Sequence, residues 1–140
     1  MILLDTNVVI DARDSSQAYH AWAVRQIEQA LTGGGGAINV VTLAELCAGS
    51  PNAAEIEPEI RTLGLQILEL PAAAGTACGA AYRRYAAARR ASGGGPASRT
   101  PLPDFFIGAH AEVLGCKLAT RDAGRIAAYF PGVGLVTPKK

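Results

Sequence analysis

Residues 2–7 read Ile-Leu-Leu-Asp-Thr-Asn, and residues 8–10 continue Val-Val-Ile. Three consecutive apolar residues without alternation describe a short strand buried on both faces, the pattern of a parallel sheet covered by helices. Asp5 closes that strand. Thr6 and Asn7 are helix-capping types, so the spacing predicts an immediate turn into a helix through Val8, Val9 and Ile10. In open α/β sheets, ligands bind beyond the carboxyl ends of the strands, which is where this geometry puts Asp5. Taken alone, Asp5 is explained equally well as a helix cap.

The chain beyond this stretch repeats the pattern. Ser15 and Ser16 are placed to cap a helix from Gln17 to Leu31, and Gly33 to Gly36 end it as a connector without the GK[ST] ending of a phosphate loop. Ala37 to Val41 forms a second apolar run, after which Thr42-Leu43-Ala44-Glu45 has the Thr-x-x-Glu spacing of a capping box. A polar helix over Asn52 to Leu63 and a strand over Gln66 to Leu70 follow. Ala72 to Ala91 is alanine-rich and helix-favouring, and the glycines and prolines of 92–101 require an irregular loop. Pro103-Asp104 opens a helix that Gly115 stops after Leu114. Lys117 to Thr120 reads as a strand, Asp122 follows it, a short helix runs through Ile126, Ala127 and Tyr129, and Val133 to Val136 is an edge strand before a Pro-Lys-Lys tail. Short apolar runs alternating with helices imply an α/β fold with a parallel sheet and right-handed crossovers.

Composition sets the outer bounds. A chain of 140 residues, 49% apolar and 18% charged, is expected to form one domain over 1–140 with a well-buried core. Its formal charge of +1 means that any nucleic-acid contact must come from a local basic patch. Cys47, Cys78 and Cys116 are widely spaced with no CxxC pair, so they read as reduced core residues. Asp5 stands too close to Met1 for a signal peptide, and no apolar run reaches membrane-spanning length, so a soluble cytoplasmic protein with no membrane contact is expected.

Asp5, Glu45, Asp104 and Asp122 each fall just after an apolar strand or near the start of a helix. Each alone is explicable as a cap or helix-dipole partner. In a doubly wound sheet, however, such positions converge on the crevice above the strand ends. Carboxylates gathered there raise one another's pKa unless a cation neutralises them, and magnesium or manganese, with oxygen ligands and retained waters, fits that need. On the long alanine-rich helix, Arg83, Arg84, Arg89 and Arg90 are interleaved with Tyr82 and Tyr85. The plain reading is a solvated surface; its rival is RNA binding, with arginine on phosphates and tyrosine stacked on bases. His20 and His110 read as structural or surface residues rather than general bases.

Four motifs in order, Leu-Asp-Thr-Asn at 4–7, Thr-Leu-Ala-Glu-Leu at 42–46, Pro-Asp-Phe-Phe-Ile-Gly-Ala-His-Ala at 103–111 and Leu-Ala-Thr-Arg-Asp at 118–122, make the chain resemble a PIN domain, and more narrowly the VapC-type toxins of bacterial toxin-antitoxin systems. The resemblance implies an α/β/α sandwich with a central parallel sheet of four to five short strands. It also implies a magnesium-dependent endoribonuclease, with manganese as the alternative ion. Asp5, Glu45, Asp104 and Asp122 would be its acidic site, with Asp5, Asp104 and Asp122 on the metal and Thr6, Asn7 and Thr120 in support. Arg121 joins Arg83, Arg84 and Arg89 as a candidate RNA contact. Gly108, where many relatives carry alanine, would with Ala111 leave room near the metal. A VapB-like antitoxin and a homodimer are the implied partners. The middle, 52–101, matches no motif. A haloacid-dehalogenase-like phosphohydrolase would need an aspartate where Asn7 stands. A non-catalytic RNA- or protein-binding module and a housekeeping nuclease without an antitoxin are the remaining rivals.

Overall fold

The computed structural model describes residues 1–99 and 101–139; Thr100, inside the expected 92–101 loop, and Lys140 of the tail lie outside the described residues. Strands β1 (Ile2–Leu4), β2 (Gly36–Asn39), β3 (Gln66–Leu68), β4 (Lys117–Ala119) and β5 (Leu135–Val136) form one all-parallel sheet in the order β3-β2-β1-β4-β5. Helices make every crossover. α1 (Thr6–Arg13) and α2 (His20–Thr32) join β1 to β2; α3 (Val40–Ala48), a 3-10 turn (Ala53–Glu55) and α4 (Ile56–Thr62) join β2 to β3. α5 (Ala72–Ala91) and α6 (Leu102–Leu114) carry the chain across to β4, and α7 (Gly124–Tyr129) leads to β5.

The sandwich follows from the alternation of side chains along strands that are apolar on both faces. Leu3, Ala37 and Leu118, which lie side by side in register, point into one cluster with Phe105, Ile107, Ile126 and Phe130. Leu4, Ile38 and Ala119 point into the opposite cluster with Val8, Val9, Ile27, Leu46, Ile56 and Ile60. The sheet is thus a wall between two cores, α1 to α4 on one side and α5 to α7 on the other. Leu3 and Leu4 are both fully buried, as the unbroken apolar run requires. β1 is central, and the connections leave it to β2 on one flank and receive β4 on the other. That makes the carboxyl end of β1 the switch point of the sheet.

Several element boundaries differ from the sequence reading. α2 begins at His20 rather than Gln17, because Asp14 draws Ser16 and Gln17 into a local turn. Its carboxylate accepts from the Ser16 backbone amide at 3.0 Å, the Ser16 hydroxyl at 2.6 Å and the Gln17 side-chain Nε2 at 3.1 Å, so the serines do not cap. The edge strands β3 and β5 are shorter than expected. Of the three cysteines only Cys78 is fully buried, and all three are free thiols. α6 ends at Gly115 in the left-handed conformation (φ 64°), as the glycine stop predicts. Among the described residues no helix is long and apolar enough to cross a membrane.

Candidate functional site

Asp5 does cap α1, and it does more. Its Oδ1 accepts from the Thr6 amide at 2.7 Å, while its Oδ2 accepts from the Thr120 hydroxyl at 2.8 Å and from the Asn7 side-chain amide at 3.2 Å. The Asp5 amide donates to the Ala119 carbonyl at 2.9 Å, which locks the ends of β1 and β4 together. Asp5 is only 7% exposed. Burial is the main force pushing its carboxyl up to about 6; the Thr120 and Thr6 hydrogen bonds oppose it, and the carboxylates of Asp104 and Glu45 add to it.

Glu45 departs from the capping-box reading. β2 ends on Asn39, whose side-chain oxygen accepts from the Val41 amide at 3.0 Å and the Thr42 amide at 3.1 Å. Asn39 is therefore the N-cap of α3. Thr42 lies inside the helix and no capping box forms. Glu45 is freed to face α1, where its Oε1 accepts from the Thr6 hydroxyl at 2.7 Å. The Thr42 hydroxyl joins the same cluster, 3.0 Å from Thr6 Oγ1. Because both lone-pair directions of the Asn39 carbonyl are engaged, its NH2 group must donate to His110 Nδ1 at 3.2 Å, which puts the imidazole proton on Nε2. His110 is a buried structural residue, as the sequence suggested.

Asp104 sits in the first turn of α6, its side chain 47% exposed and paired with Arg125 at 3.0 Å. Desolvation raises its pKa above the ordinary carboxylate value, Arg125 opposes the rise, and the Asp122 carboxylate adds to it. Asp122 is exposed, its amide donating to Thr120 Oγ1 at 3.1 Å. The four acids are therefore electrostatic neighbours in a chain: Glu45 and Asp104 act on Asp5, and Asp122 acts on Asp104. Thr6, Asn7 and Thr120, the expected supporting residues, all hydrogen-bond within this network. The donors are carboxylates and hydroxyls without thiolate or imidazole, a set that fits a hard divalent cation. Among the described residues no group of three His, Cys, Asp or Glu side chains is arranged to hold a metal ion. Magnesium does not need one, since it takes one or two carboxylates and keeps several waters.

Other expected site residues are placed elsewhere. Tyr82 and Tyr85 are half-buried against the core: Tyr82 packs on Phe105 at 6.1 Å, Tyr85 on Phe105 and Tyr129 at 5.5 and 5.8 Å, and the Tyr82 hydroxyl donates to the Ala97 and Ser98 carbonyls. Arg84 donates to the Tyr129 carbonyl at 3.0 Å, and Arg83 and Arg89 are exposed on α5. Arg121, by contrast, follows Thr120 directly and binds Asp11. Gly108 does not make room for a metal. A Cβ there would stand 2.6 Å from Phe130 Cδ2 and 3.0 Å from Ile126 Cδ1, so its smallness lets α6 lie against α7. Ala111 likewise lies in the apolar cluster.

Sequence reasoning missed Thr42, Asn39, Arg125 and Asp11 as parts of this network. Asp11 alone carried a local signal, standing one helical turn beyond Asn7 on the same face of α1. The PIN domain family matches residues 2–130, nearly the whole chain. The chain belongs to the PIN domain family. Solved structures similar to this PIN domain include VapBC2 from Rickettsia felis bound to a promoter DNA fragment (19% identity, TM-score 0.71, covering 99% of this chain and 100% of that one). A toxin-antitoxin complex from Klebsiella pneumoniae (22%, 0.66, 100% and 99%) and FitAcB from Neisseria gonorrhoeae (23%, 0.68, 98% and 97%) share the fold in the same way. Among curated proteins, none matches the chain in sequence.

Proposed function

We propose that this PIN domain is a VapC-type toxin, a magnesium-dependent endoribonuclease that hydrolyses RNA phosphodiester bonds and is held in check by a VapB-like antitoxin. The observation that carries the reading is Asp5. A carboxylate buried at the switch point of the sheet, pushed up to about 6 and facing the charges of Glu45 and Asp104, is an arrangement that a divalent cation relieves. Family membership supports nuclease chemistry, and the toxin-antitoxin complexes among the similar folds support the partner.

Asp5, Asp104 and Asp122 would hold the ion, magnesium or in its place manganese, partly through the waters it retains. Bound there, it would supply Lewis-acid stabilisation of phosphoryl charge and an acidified water. The protein's own contribution is orientation. Thr6, clamped between the Asp5 cap and Glu45, fixes the Glu45 carboxylate beside the crevice; Thr120 fixes Asp5 from the opposite flank. In this reading Glu45 would orient a water by accepting a hydrogen bond from it. The side chains hydrogen-bonded to Asp5, Glu45 and Asp104 are Thr6, Asn7, Thr120 and Arg125, with His110 set back behind Asn39, which suits direct attack by water.

The deciding experiment is cleavage of mixed-sequence RNA with magnesium, in chelator, and with Asp5→Asn as the control. Cutting should need both the metal and Asp5, and a cognate antitoxin should suppress it. Cutting that persists in chelator, or its absence with the metal present, contradicts the proposal. Cleavage without any neighbouring reading frame for an antitoxin would favour a housekeeping nuclease.

A further inference from the structure

Asp11 is 1% exposed, more deeply buried than Asp5. Its Oδ2 accepts from Arg121 Nε at 2.7 Å, and its Oδ1 has no hydrogen-bond partner among the described residues. A buried carboxylate with one oxygen unmatched is a poor source of stability, because desolvation takes back much of what the ion pair provides. Nor is the pair needed to hold the backbone. The Arg121 amide already donates to Asn7 Oδ1 at 3.2 Å, and the Thr120 hydroxyl already organises the turn into Asp122. What the pair fixes is the guanidinium.

The geometry of that contact is selective. Asp11 engages the Nε side, and among the described residues neither Nη of Arg121 has a hydrogen bond or ion pair. The side chain is 37% exposed, so a group held from below keeps an outer edge in solvent. This edge belongs to the residue between Thr120, bonded to Asp5, and Asp122. Two Nη groups in a plane match two oxygens of a phosphate. Arg84 is occupied by the Tyr129 carbonyl, and Arg83 and Arg89 lie on a helix whose tyrosines turn inward.

We infer that Asp11 is a positioning residue that holds Arg121 side-on, so that the Nη edge of Arg121 takes a backbone phosphate of the RNA beside the acidic site. This rests on the nuclease reading above and adds to it which arginine meets the strand and what aims it. Coulomb attraction alone predicts the opposite sign for Asp11: removing a negative charge next to the site should tighten RNA binding. Positioning predicts that it weakens.

The test is equilibrium binding of a fluorescein-labelled, mixed-sequence single-stranded RNA in chelator, where nothing is cut, across a salt series. Arg121→Gln should bind about tenfold more weakly, the loss of one charge-assisted contact. It should also lower the slope of log affinity against log salt by about 0.7, one phosphate for a single strand. Asp11→Ala should weaken binding in the native background and add nothing in the Arg121→Gln background. Asp11→Asn, which retains an oxygen for Nε, should recover most of the affinity. If Asp11→Ala does not fold, Asp11→Asn and Arg121→Lys carry the test, since lysine keeps the charge without the planar fork and should still bind more weakly than the native chain. Unchanged binding by Arg121→Gln, tighter binding by Asp11→Ala, or an equal loss from Asp11→Ala in both backgrounds overturns the inference while leaving the nuclease reading intact. A native chain that neither binds nor cuts RNA overturns both.

Discussion

In metal-free buffer, replacing the central acid by its amide should make this protein more stable at neutral pH. The Asp5 carboxyl is pushed from its ordinary 3.8 up to about 6. Roughly two pKa units correspond to about 3 kcal/mol between the charged and neutral forms. Because the folded-state value is raised, the protonated carboxyl is the form that folding favours. Its contribution is fully present below about pH 4 and is lost as pH rises through about 6. Asp5→Asn removes that titration. The amide oxygen still caps the Thr6 amide, and asparagine ranks with aspartate at such positions. In urea denaturation with chelator, variant and parent should differ little at about pH 4, and the variant should be more stable by up to about 3 kcal/mol at about pH 7.5. Magnesium should shrink the gap, because it binds the ionised parent and has little to bind in the variant. An Asp5→Asn protein less stable than its parent at neutral pH, or a gap of equal size at both pH values, would refute the account of Asp5 as a strained, cation-seeking carboxylate.

Glu45→Gln should keep metal-free stability within about 1 kcal/mol, since the amide oxygen still accepts from the Thr6 hydroxyl. It should nonetheless lose most magnesium-dependent RNA cleavage, and full activity would remove Glu45 from the site. Gly108→Ala should destabilise by about 1–3 kcal/mol, because its Cβ meets the buried Phe130 ring, and thermal or urea unfolding would show it. Free chain at high micromolar concentration should run as a homodimer by light scattering, where a monomer mass would exclude that assembly.

The part of the site legible in the sequence is the part written locally. Asp5 follows a strand apolar on both faces, which puts it at a strand's carboxyl end; that this end is the sheet's switch point comes from the strand order β3-β2-β1-β4-β5, which alternation alone does not carry. Glu45 shows where local reading stops. Asn39 and Thr42 are both good caps three residues apart, and the choice falls to Asn39 because its NH2 group finds His110, 71 positions away in the chain. The tyrosines of α5 were ambiguous for a similar reason. On an alanine-rich helix nothing in the periodicity says which face is covered, and only the packing of α5 on α6 turns Tyr82 and Tyr85 inward. Gly108 misled because a small residue beside an aspartate suits a metal pocket and a close helix crossing equally well. Arg125 and Arg121 find partners 21 and 110 positions away, and no pattern within the sequence marks such pairs.

The Asn39 to His110 hydrogen bond also bears on how the molecule comes apart. One amide side chain holds the first turn of α3 with its oxygen and a buried imidazole of α6 with its nitrogen. A fluctuation that lifts α6 from the sheet therefore takes away a tether of the cap under Glu45, while fraying of α3 leaves His110 with an unmet acceptor in the core. The helices that carry Glu45 and Asp104 lie far apart in sequence and largely on opposite faces of the sheet, yet this side chain ties them directly to one another. In hydrogen exchange, the Val41 and Thr42 amides should open together with the buried middle of α6 rather than with the exposed end of α3.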